Sequence, residues 1–436
     1  MTQTLESKTV VVAGLGLTGQ ACVRFLCQHA RCVSAWDTRA DLMVPETVQV
    51  PVCLGEPEAA FWQGVDLLVL SPGIATDLPA ILQARKAGVE VIGDVELFAR
   101  MNTTPALGIT GSNGKTTVTM LVAHILQQSG FNACAAGNVG TPVLDTLEES
   151  WDAIVLELSS FQLESTSSLE LKAATILNLS DDHLDRHGSM QAYRAAKQRI
   201  FEHCERAVVW RAQPDTWPEG VNVPKVTFGL DTTSSDFGMD GRWITWQGEP
   251  VIDMDKTQLL GSHNALNVQA ALALAMTMGV EPSKAAAAVY SFRSAAHRCV
   301  EVALTQGVRW IDDSKATNVG ATEAALKGIG PGRQGKLILI AGGDGKGADL
   351  SALQPALDAY VDNVIGLGRD GRKICALAKN AVYVDSMLDA VKQAWKQAEA
   401  GDTVLLSPAC ASLDMFDNYA HRGEVFAQCI HEVTRQ

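Results

Sequence analysis

The chain has 436 residues, a length that corresponds to two to four domains of ordinary size, with three as the central expectation. Hydrophobic residues make up 47% and charged residues 19%, which is typical of a folded globular protein and not of a disordered or fibrous one. The formal net charge of −14 disfavours nucleic acids and anionic membranes as partners, because most of the surface would repel them. A single bound nucleotide is still compatible with this charge.

The first residues lack the basic segment and the small-residue cleavage site of a secretory signal peptide. No apolar run approaches the roughly 18 residues that a membrane-spanning helix requires. The ten cysteines include no C-x-x-C pair, which favours buried thiols in a reducing compartment over disulfides or zinc ligands. We therefore expect a cytoplasmic protein with no nucleic-acid or membrane partner.

Three segments combine an apolar, strand-like run with glycines that follow it. They are TVVVAGLG at residues 9–16, ALGITGSNG at residues 106–114 and KLILIAGGDG at residues 336–345. In the first and last units, further apolar runs alternate with helix-period segments, which predicts parallel, doubly wound sheets. Between residues 207 and 260, short runs with Gly and Trp predict β-hairpins appended to the middle unit.

The first glycine run has the pattern G-x-G-x-x-G at Gly14, Gly16 and Gly19, and Asp37 ends the next apolar run. This pattern is typical of a dinucleotide site in a Rossmann-like unit. Its physical content is broader, because glycines allow close backbone approach and a helix N-terminus offers N–H donors to any pyrophosphate. A glycine-rich turn without a ligand is the simpler alternative.

Residues 110–117, TGSNGKTT, follow an apolar strand and open an apolar helix, which is the arrangement of a phosphate-binding P-loop. We expect the backbone N–H groups of residues 111–114 to cradle phosphates, Lys115 to neutralise the β- and γ-phosphates, and Thr116 to reach Mg²⁺. The strict pattern requires glycine where this chain has Ile109, so the match is incomplete.

Polar side chains follow two further apolar runs of the middle unit. Glu157 ends the first run and is the kind of carboxylate that holds Mg²⁺ beside a P-loop, although a lone Glu is more often solvated. Asn178, Asp182 and His183 follow the second run, where loops of α/β sheets carry ligands. His183 and His187 are four residues apart, but without H-E-x-x-H or supporting cysteines the sequence disfavours zinc.

The order and spacing of several segments resemble the Mur ligase family over nearly the whole chain. These segments are TGSNGKTT, ELSSFQLE, DDHLDRH, YRAAKQRIF, GSHNALN, HR and DDSKATN. GLGLTG, DTR, SPG, GGDGKGAD and LSPACASLDMFDNYAHRGEVF are similar to the members that add D-glutamate. The resemblance implies an ATP-dependent ligase that uses Mg²⁺ and joins D-glutamate to UDP-N-acetylmuramoyl-L-alanine through an acyl phosphate. We expect a monomer.

We therefore predict an α/β protein of three domains: residues 1–95, a Rossmann-like unit for the UDP-linked substrate; residues 96–298, a P-loop ATPase-like unit with appended hairpins; and residues 299–436, a Rossmann-like unit for the amino acid. Outside the P-loop, most of the site residues are implied by the resemblance, since the sequence alone would describe them as turn, cap or helix residues. For the UDP-linked substrate they are Leu17, Thr18, Asp37, Thr38, Arg39, Ser71, Pro72, Gly73, Asn138 and His183. For ATP they are Gly111, Ser112, Asn113, Gly114, Lys115, Thr116, Thr117, Asn264, Asn267, Arg298 and Asp313.

The same resemblance implies Thr317, Lys346, Ser412 and Tyr419 for D-glutamate, although the family often has phenylalanine at the last position. Thr116, Glu157, His183 and Lys197 would hold Mg²⁺, with Lys197 carried as a carbamate formed from CO₂. The implied catalytic residues are Lys115, Lys197, His183, His297 and Lys315.

Two other classes of protein would explain part of the pattern. A nucleotide-dependent oxidoreductase would use Gly14, Gly16 and Gly19, but hydride transfer does not need a P-loop. A P-loop switch protein would hydrolyse ATP, but it leaves the first and last units unexplained. Phosphate release that depends on both a UDP-muramoyl substrate and an amino acid would separate all three possibilities.

Overall fold

The computed structural model describes residues 5–182, 184–233, 235–259, 261–293 and 296–434. These residues form three consecutive α/β units, each built on its own mainly parallel sheet. Helices cover the parallel sheets, so their central strands, such as residues 10–13, 153–157 and 337–341, are buried on both faces and read as continuous apolar runs. This architecture confirms the predicted three-domain α/β fold.

The N-terminal unit has a five-stranded parallel sheet. Its elements are β1 (Thr9–Ala13), α1 (Leu17–His29), β2 (Cys32–Asp37), β3 (Val52–Leu54), β4 (Leu67–Leu70), α2 (Pro79–Lys86), β5 (Glu90–Gly93) and α3 (Asp94–Met101). The strand order β3-β2-β1-β4-β5 reverses direction between β1 and β4. The loops after these two strands therefore diverge, which leaves a crevice at the carboxyl edge of the sheet.

The central unit has a six-stranded parallel sheet in the order β11-β10-β9-β6-β8-β7 and a separate three-stranded antiparallel sheet, β12-β13-β14. Its strands are β6 (Ala106–Thr110), β7 (Ala133–Gly137), β8 (Ala153–Glu157), β9 (Ala173–Ile176), β10 (Ala207–Trp210), β11 (Lys225–Phe228), β12 (Phe237–Asp240), β13 (Trp243–Trp246) and β14 (Glu249–Asp253). Its helices are α4 (Lys115–Gln128), α5 (Ser160–Glu164), α6 (Leu184–His187), α7 (Met190–Gln198), α8 (Ser262–Thr277) and α9 (Pro282–Ser291).

The structure differs from the hairpin prediction in one part of residues 207–260. Strands β12 to β14 are appended antiparallel strands, as predicted, but β10 and β11 pair in parallel and extend the main sheet. Each has four residues, too few for their apolar pattern to distinguish a buried parallel strand from one arm of a hairpin.

The C-terminal unit has a six-stranded sheet in the order β15-β16-β20-β17-β18-β19, in which only the β15–β16 pair is antiparallel. Its strands are β15 (Val300–Thr305), β16 (Val308–Asp312), β17 (Leu337–Ala341), β18 (Asn363–Gly366), β19 (Ala381–Tyr383) and β20 (Thr403–Leu406). Its helices are α10 (Val319–Ile329), α11 (Gln354–Tyr360), α12 (Gly371–Cys375), α13 (Met387–Gln397) and α14 (Tyr419–Thr434).

All ten cysteines are free thiols, and two of them, Cys27 and Cys32, are exposed, so the expectation of buried thiols does not hold for every one. In the part of the chain that the structure describes, no helix is long and apolar enough to cross a membrane.

Candidate active site

The loop between β6 and α4 has the backbone geometry that phosphate binding requires. Gly111 and Gly114 have φ angles of +148° and +85°, a region that favours glycine. Helix α4 begins at Lys115, whose ammonium donates to the carbonyls of Gly111 at 2.8 Å and Ser112 at 2.9 Å. Burial lowers the pKa of Lys115. The loop thus brings backbone N–H donors, a helix N-terminus and a cation to one point.

Two residues that follow β9 hold this loop in place. Asn178 accepts a hydrogen bond from the Asn113 N–H at 2.9 Å and donates one to the Asn113 carbonyl at 2.9 Å. Ser112 Oγ donates to the Ser180 carbonyl at 3.0 Å and accepts from the Ser180 N–H at 2.9 Å. These reciprocal bonds fix the P-loop against the neighbouring strand, which is a supporting role that the sequence did not assign.

A cavity of about 350 Å³ lies beside the P-loop, between the central and C-terminal units. Its lining includes these residues predicted for ATP: Asn113, Gly114, Thr117, Asn264, Asn267, Arg298 and Asp313. It also includes apolar side chains that the sequence analysis missed: Leu177, Leu179, Trp210, Phe228 and Leu266. An apolar and aromatic wall next to a phosphate loop suits a purine ring. Gly111, Ser112, Lys115 and Thr116 complete the loop.

Arg298 and Asp313 reach this cavity from the C-terminal unit. Asp313 accepts hydrogen bonds from the Ser407 hydroxyl at 2.8 Å and the Cys299 N–H at 3.2 Å. Burial raises the pKa of Asp313 to about 7, and burial lowers the pKa of Arg298. Burial thus disfavours the charged form of both side chains, and a bound ligand of complementary charge would stabilise it.

The central and C-terminal units also meet at the P-loop. The side-chain amides of Asn113 and Asn318 form a reciprocal pair, with N···O distances of 3.3 and 3.2 Å. Asn318 is the N-cap of α10 and accepts from the Ala321 N–H at 2.9 Å. The phosphate loop is therefore in direct contact with the start of a helix from the C-terminal unit.

Two titratable side chains are buried close to the P-loop. Glu157 Oε1 accepts from Asn138 Nδ2 at 2.7 Å, whereas Oε2 is buried and has no hydrogen-bond partner among the described residues. Lys197, in α7, is 1% exposed, and its Nζ donates to Thr110 Oγ1 at 3.2 Å and to the Gly111 carbonyl at 3.0 Å. Burial, followed by the charge of Lys115, lowers the pKa of Lys197.

These residues fit a Mg²⁺ ion beside the P-loop. A buried carboxylate oxygen without a donor is costly, and a hard cation that takes oxygen ligands would satisfy Glu157 Oε2. Within the described ranges, no three His, Cys, Asp or Glu side chains form a ready-made metal cluster. Oxygen ligands from Thr116 and from nucleotide phosphates would therefore be needed. His183, the other predicted ligand, lies outside the described residues.

A larger cavity, of about 770 Å³, lies at the switch point of the N-terminal sheet and reaches the central unit. It is lined by every described residue that was predicted for the UDP-linked substrate: Leu17, Thr18, Asp37, Thr38, Arg39, Ser71, Pro72, Gly73 and Asn138. Lining residues that the sequence analysis missed are Gln20, Arg24, Asp145 and Gln162. Arg24 and Asp145 form an ion pair at 2.9 Å between the two units.

Several hydrogen bonds meet at Asp37, at the end of β2 in this cavity. Asp37 accepts from the Leu15 N–H at 2.8 Å and from two guanidinium nitrogens of Arg39, each at 2.8 Å. The Arg39 guanidinium is the main cause that lowers the pKa of Asp37 to about 2. A side chain at Gly19 would collide with the Gly14 carbonyl, so α1 packs directly on the glycine turn. Its N-terminus therefore faces the cavity.

The residues predicted for D-glutamate follow three strands of the C-terminal sheet. The backbones of Asp344 and Ala411 exchange hydrogen bonds of 2.9 and 2.8 Å, which brings the loop of Lys346 beside the loop of Ser412. Lys315, after β16, places its ammonium 3.8 Å from the centroid of the Tyr419 ring. Burial lowers the pKa of Lys315 to about 8. Thr317 is two residues farther along the same loop.

A buried arginine that the sequence analysis missed joins these loops. Arg422 is 1% exposed, and its guanidinium donates to Ser314 Oγ at 2.9 Å, the Ser314 carbonyl at 2.8 Å and the Cys410 carbonyl at 3.1 Å. Ser314 Oγ in turn donates to the Tyr419 carbonyl at 2.8 Å. Arg422 therefore fastens the loops after β16 and β20 to the first turn of α14.

Comparison with known proteins shows the family to which this chain belongs. The Mur ligase MurD-like N-terminal domain matches residues 8–93, the Mur ligase middle domain matches residues 109–275, and the Mur ligase glutamate ligase domain matches residues 297–410. A UDP-N-acetylmuramoylalanine–D-glutamate ligase of Idiomarina loihiensis is 43% identical, over 98% of this chain and 97% of that protein. The chain belongs to the Mur ligase family. A protein of the same name from Vibrio parahaemolyticus is 44% identical, over 96% of each chain.

Solved Mur ligases share the fold of this chain. The UDP-N-acetylmuramate–alanine ligase of Thermotoga maritima superposes with a TM-score of 0.64 at 19% identity, over 98% of this chain and 99% of that one. A MurF structure from Acinetobacter baumannii gives 0.63 at 15% identity, over 99% and 92% of the two chains. At these identities the likeness concerns the fold alone. Membership of the Mur ligase family implies ATP and Mg²⁺ as cofactors.

The structure thus groups the predicted Mur ligase residues into three sites that adjoin one another. Asn138 lines the larger cavity and also bonds to Glu157 near the P-loop. Lys315 lines the smaller cavity and also contacts Tyr419 in the C-terminal unit. The binding role of each individual residue stays a prediction.

Proposed function

We propose that this chain is an ATP-dependent ligase that joins D-glutamate to UDP-N-acetylmuramoyl-L-alanine, a step of peptidoglycan synthesis, and releases ADP and phosphate. The observation that carries the proposal is that the three sites adjoin one another. Asn138 lines the larger cavity and bonds to Glu157 near the P-loop. Lys315 lines the cavity beside the P-loop and contacts Tyr419 of the C-terminal unit. Relatives about 43% identical over nearly the whole chain bear the name of this activity.

The chemistry requires such an arrangement. A carboxylate does not react with an amine near neutral pH, because it has no adequate leaving group. The L-alanyl carboxylate would attack the γ-phosphorus of ATP to form an acyl phosphate, while Lys115 and the N–H groups of the P-loop stabilise the charge. Mg²⁺, held by Thr116, Glu157, His183 and modified Lys197, would offset phosphoryl charge.

The second step would take place between the P-loop and the C-terminal unit. Thr317, Lys346, Ser412 and Tyr419 would hold D-glutamate, with its amine directed at the acyl carbon. Attack by the amine expels phosphate and leaves the amide. The side-chain amides of Asn113 and Asn318 join the two units beside the P-loop. A closed arrangement of these units would exclude water, which would otherwise hydrolyse the acyl phosphate.

We further propose that Lys197 reacts with CO₂ and works as a carbamate. Only an uncharged amine attacks CO₂, and burial lowers the pKa of this lysine, which raises the uncharged fraction. The carbamate is an anion with oxygen donors, which Mg²⁺ prefers, whereas an ammonium group beside Glu157 would repel the metal.

The three domains that we assign to these tasks are residues 1–95, 96–298 and 299–436. We propose a monomer, in which one chain supplies all the ligands of the three sites. The use of ATP and of a UDP-linked substrate suits an enzyme of the cytoplasm.

An ATP-dependent phosphate-release assay tests the proposed function. The donor is UDP-N-acetylmuramoyl-L-alanine, and the amino acids offered are D-glutamate, L-alanine, diaminopimelate and D-alanyl-D-alanine. We expect release only with D-glutamate. Equal release with another amino acid would contradict the proposed specificity, and release without the UDP-linked donor would favour a P-loop switch protein.

Thermal unfolding should distinguish the ligand of the larger cavity. A UDP-muramoyl ligand at a hundred times its Kd should stabilise the native state by about 2.7 kcal/mol, which raises the melting temperature. NAD and NADP should not raise the melting temperature, because we expect the glycine turn to bind the diphosphate of UDP and not a nicotinamide cofactor. A clear shift with NAD would instead support the oxidoreductase alternative.

Substitution of Lys346 or Thr317 by alanine should weaken the use of D-glutamate more than the use of ATP. Loss of a charge-assisted hydrogen bond of roughly 1.5–3 kcal/mol should raise the KM for D-glutamate about tenfold to a hundredfold. Lys379→Ala is the matched control, because this lysine is 78% exposed and pairs with Asp358 on the surface of the same unit. An unchanged KM for D-glutamate would remove both residues from the amino-acid site.

A further inference from the structure

A histidine and an aspartate form a short, fixed pair where the C-terminal unit begins. His297 Nδ1 lies 2.6 Å from Asp312 Oδ2, and the side chain of Asp312 is 2% exposed. The other oxygen of Asp312 accepts from the Ser314 N–H at 2.8 Å. Because this second bond fixes the carboxylate at the end of β16, the carboxylate in turn fixes one nitrogen of the imidazole.

The packing of α14 shows that the fold accommodates this pair specifically. A side chain at Gly423 would collide with both His297 Nδ1 and Asp312 Oδ2. Glycine inside a helix costs about 0.5–1 kcal/mol relative to alanine, so the absence of a side chain here has an energetic cost. His297 also has a φ angle of +64°, a conformation that side chains rarely adopt. The glycine within α14 and the positive φ angle of His297 are both unfavourable for the backbone, and both are found where the His297 imidazole packs.

The second imidazole nitrogen, Nε2, is accessible. No described residue forms a hydrogen bond with it, it is not among the buried unpaired atoms, and the side chain of His297 is 16% exposed. The centroid of the ring lies 6.2 Å from that of Tyr419, with the rings edge to face. Lys315 contacts the same Tyr419 ring. His297 therefore has one fixed nitrogen and one open nitrogen beside the proposed amino-acid site.

We propose that His297 accepts a proton from the ammonium group of the incoming amino acid, and that Asp312 is the positioning residue that keeps Nδ1 protonated and Nε2 able to accept. This inference rests on the proposed function, since it assigns the proton acceptor for its second step. A carboxylate that accepts from Nδ1–H selects this tautomer, which leaves the lone pair on Nε2.

The amino acid arrives as an ammonium ion without a lone pair, and Nε2 of His297 takes one of its three protons. The freed lone pair forms the C–N bond to the acyl phosphate, and the C–O bond to phosphate breaks with its electron pair on phosphate. The second proton leaves with the phosphate, and the third stays on the amide nitrogen. The imidazolium then returns its proton to water.

The charged and titratable groups near the imidazole belong to β16, to α14 and to the segments before β15 and after β16. Asp312 is at the end of β16, Arg298 and Lys315 lie in the segments flanking β15 and β16, and Tyr419 and Arg422 belong to α14. The lowered pKa of Lys315, about 8, makes this lysine the competing proton acceptor. The experiment must therefore isolate His297.

Two variants and two nucleophiles provide the test. In Asp312→Asn, the side-chain oxygen can still accept from Ser314, but its NH₂ group faces His297, so the imidazole proton moves to Nε2 and no lone pair is left there. His297→Gln removes the acceptor entirely. Each enzyme is supplied with ATP, UDP-N-acetylmuramoyl-L-alanine and either D-glutamate or hydroxylamine, which is uncharged near neutral pH and needs no proton acceptor before it attacks.

We expect both variants to lose about 10²–10⁴-fold in D-glutamate ligation near neutral pH, the usual contribution of a general base. The loss should shrink as pH rises and more of the amine is already uncharged. Hydroxamate formation should stay within about twofold of wild type. Asp417→Asn, which removes the exposed ion pair of 3.0 Å between Asp417, just before α14, and His421, in the first turn of α14, should change neither rate.

Normal D-glutamate ligation in both variants would overturn the inference and favour Lys315. An equal fall in hydroxamate formation would also overturn it, because the pair would then act before the amine arrives or would be merely structural. Should Asp312→Asn fail to fold, His297→Gln decides the question alone. If wild type forms neither hydroxamate nor ADP, the proposed function fails, and this inference fails with it.

Discussion

A Lys115→Ala variant should lose turnover by at least roughly 10²–10³-fold, the loss typical when one donor to transition-state charge is removed. The ammonium of Lys115 is held inside the P-loop by the Gly111 and Ser112 carbonyls, next to the place where the β- and γ-phosphates would lie. Its hydrogen bonds remain within its own loop, and burial lowers its pKa, so its removal should cost little folding free energy.

The measurement is ATP-dependent phosphate release with both other substrates saturating, together with thermal unfolding. Lys172→Ala is the matched control, since this lysine lies on the same unit, is 44% exposed and pairs with Glu205 at 2.6 Å. An exposed pair of this kind contributes roughly 0–1 kcal/mol, so the control should keep normal turnover. Near-normal turnover in Lys115→Ala would contradict the ATP assignment.

The Lys197→Ala variant should also lose most of its activity. Removing a residue that only supports a metal ligand typically lowers activity by roughly 10–100-fold, and we expect at least this loss for a ligand itself. The proposed carbamate would be an anion that holds Mg²⁺ near Glu157. Glu157 Oε2 is buried and accepts no hydrogen bond from any described residue, so it is free to bind the same ion. Added acetate should restore part of the activity, because a small carboxylate can occupy the vacated oxygen position.

The same acetate should not rescue Lys115→Ala, where the missing group is a cation; this makes that variant the control for specificity. Carbon NMR after growth in labelled bicarbonate should show a carbamate signal in wild type that is absent from Lys197→Ala. Full activity in the alanine variant, or in wild type rigorously depleted of CO₂, would show that Lys197 has no such role.

Local patterns predicted the parts of this protein that are continuous in the chain. The P-loop at residues 110–117 and the glycine turn at Gly14 to Gly19 were recognisable because each lies between a strand and a helix, with glycines where the backbone needs them. Position 109, where the strict pattern has glycine, is occupied by Ile109, a fully buried residue within β6 and not part of the loop. Short strands such as β10 and β11 were placed less well, since four apolar residues carry no information about their partner strand.

The fold class and the phosphate loop could be inferred from the amino-acid sequence, and the resemblance to a family supplied the residues expected around three ligands. The contacts by which distant residues support these sites are visible only in the three-dimensional structure. Arg422 reaches Ser314 across 108 positions, and Asp312 and His297 are enclosed by Gly423 of a helix more than a hundred residues away. A buried arginine or an imidazole–carboxylate pair acquires its role from the partners that desolvate and orient it. Those partners come from separate strands, so no local pattern records them.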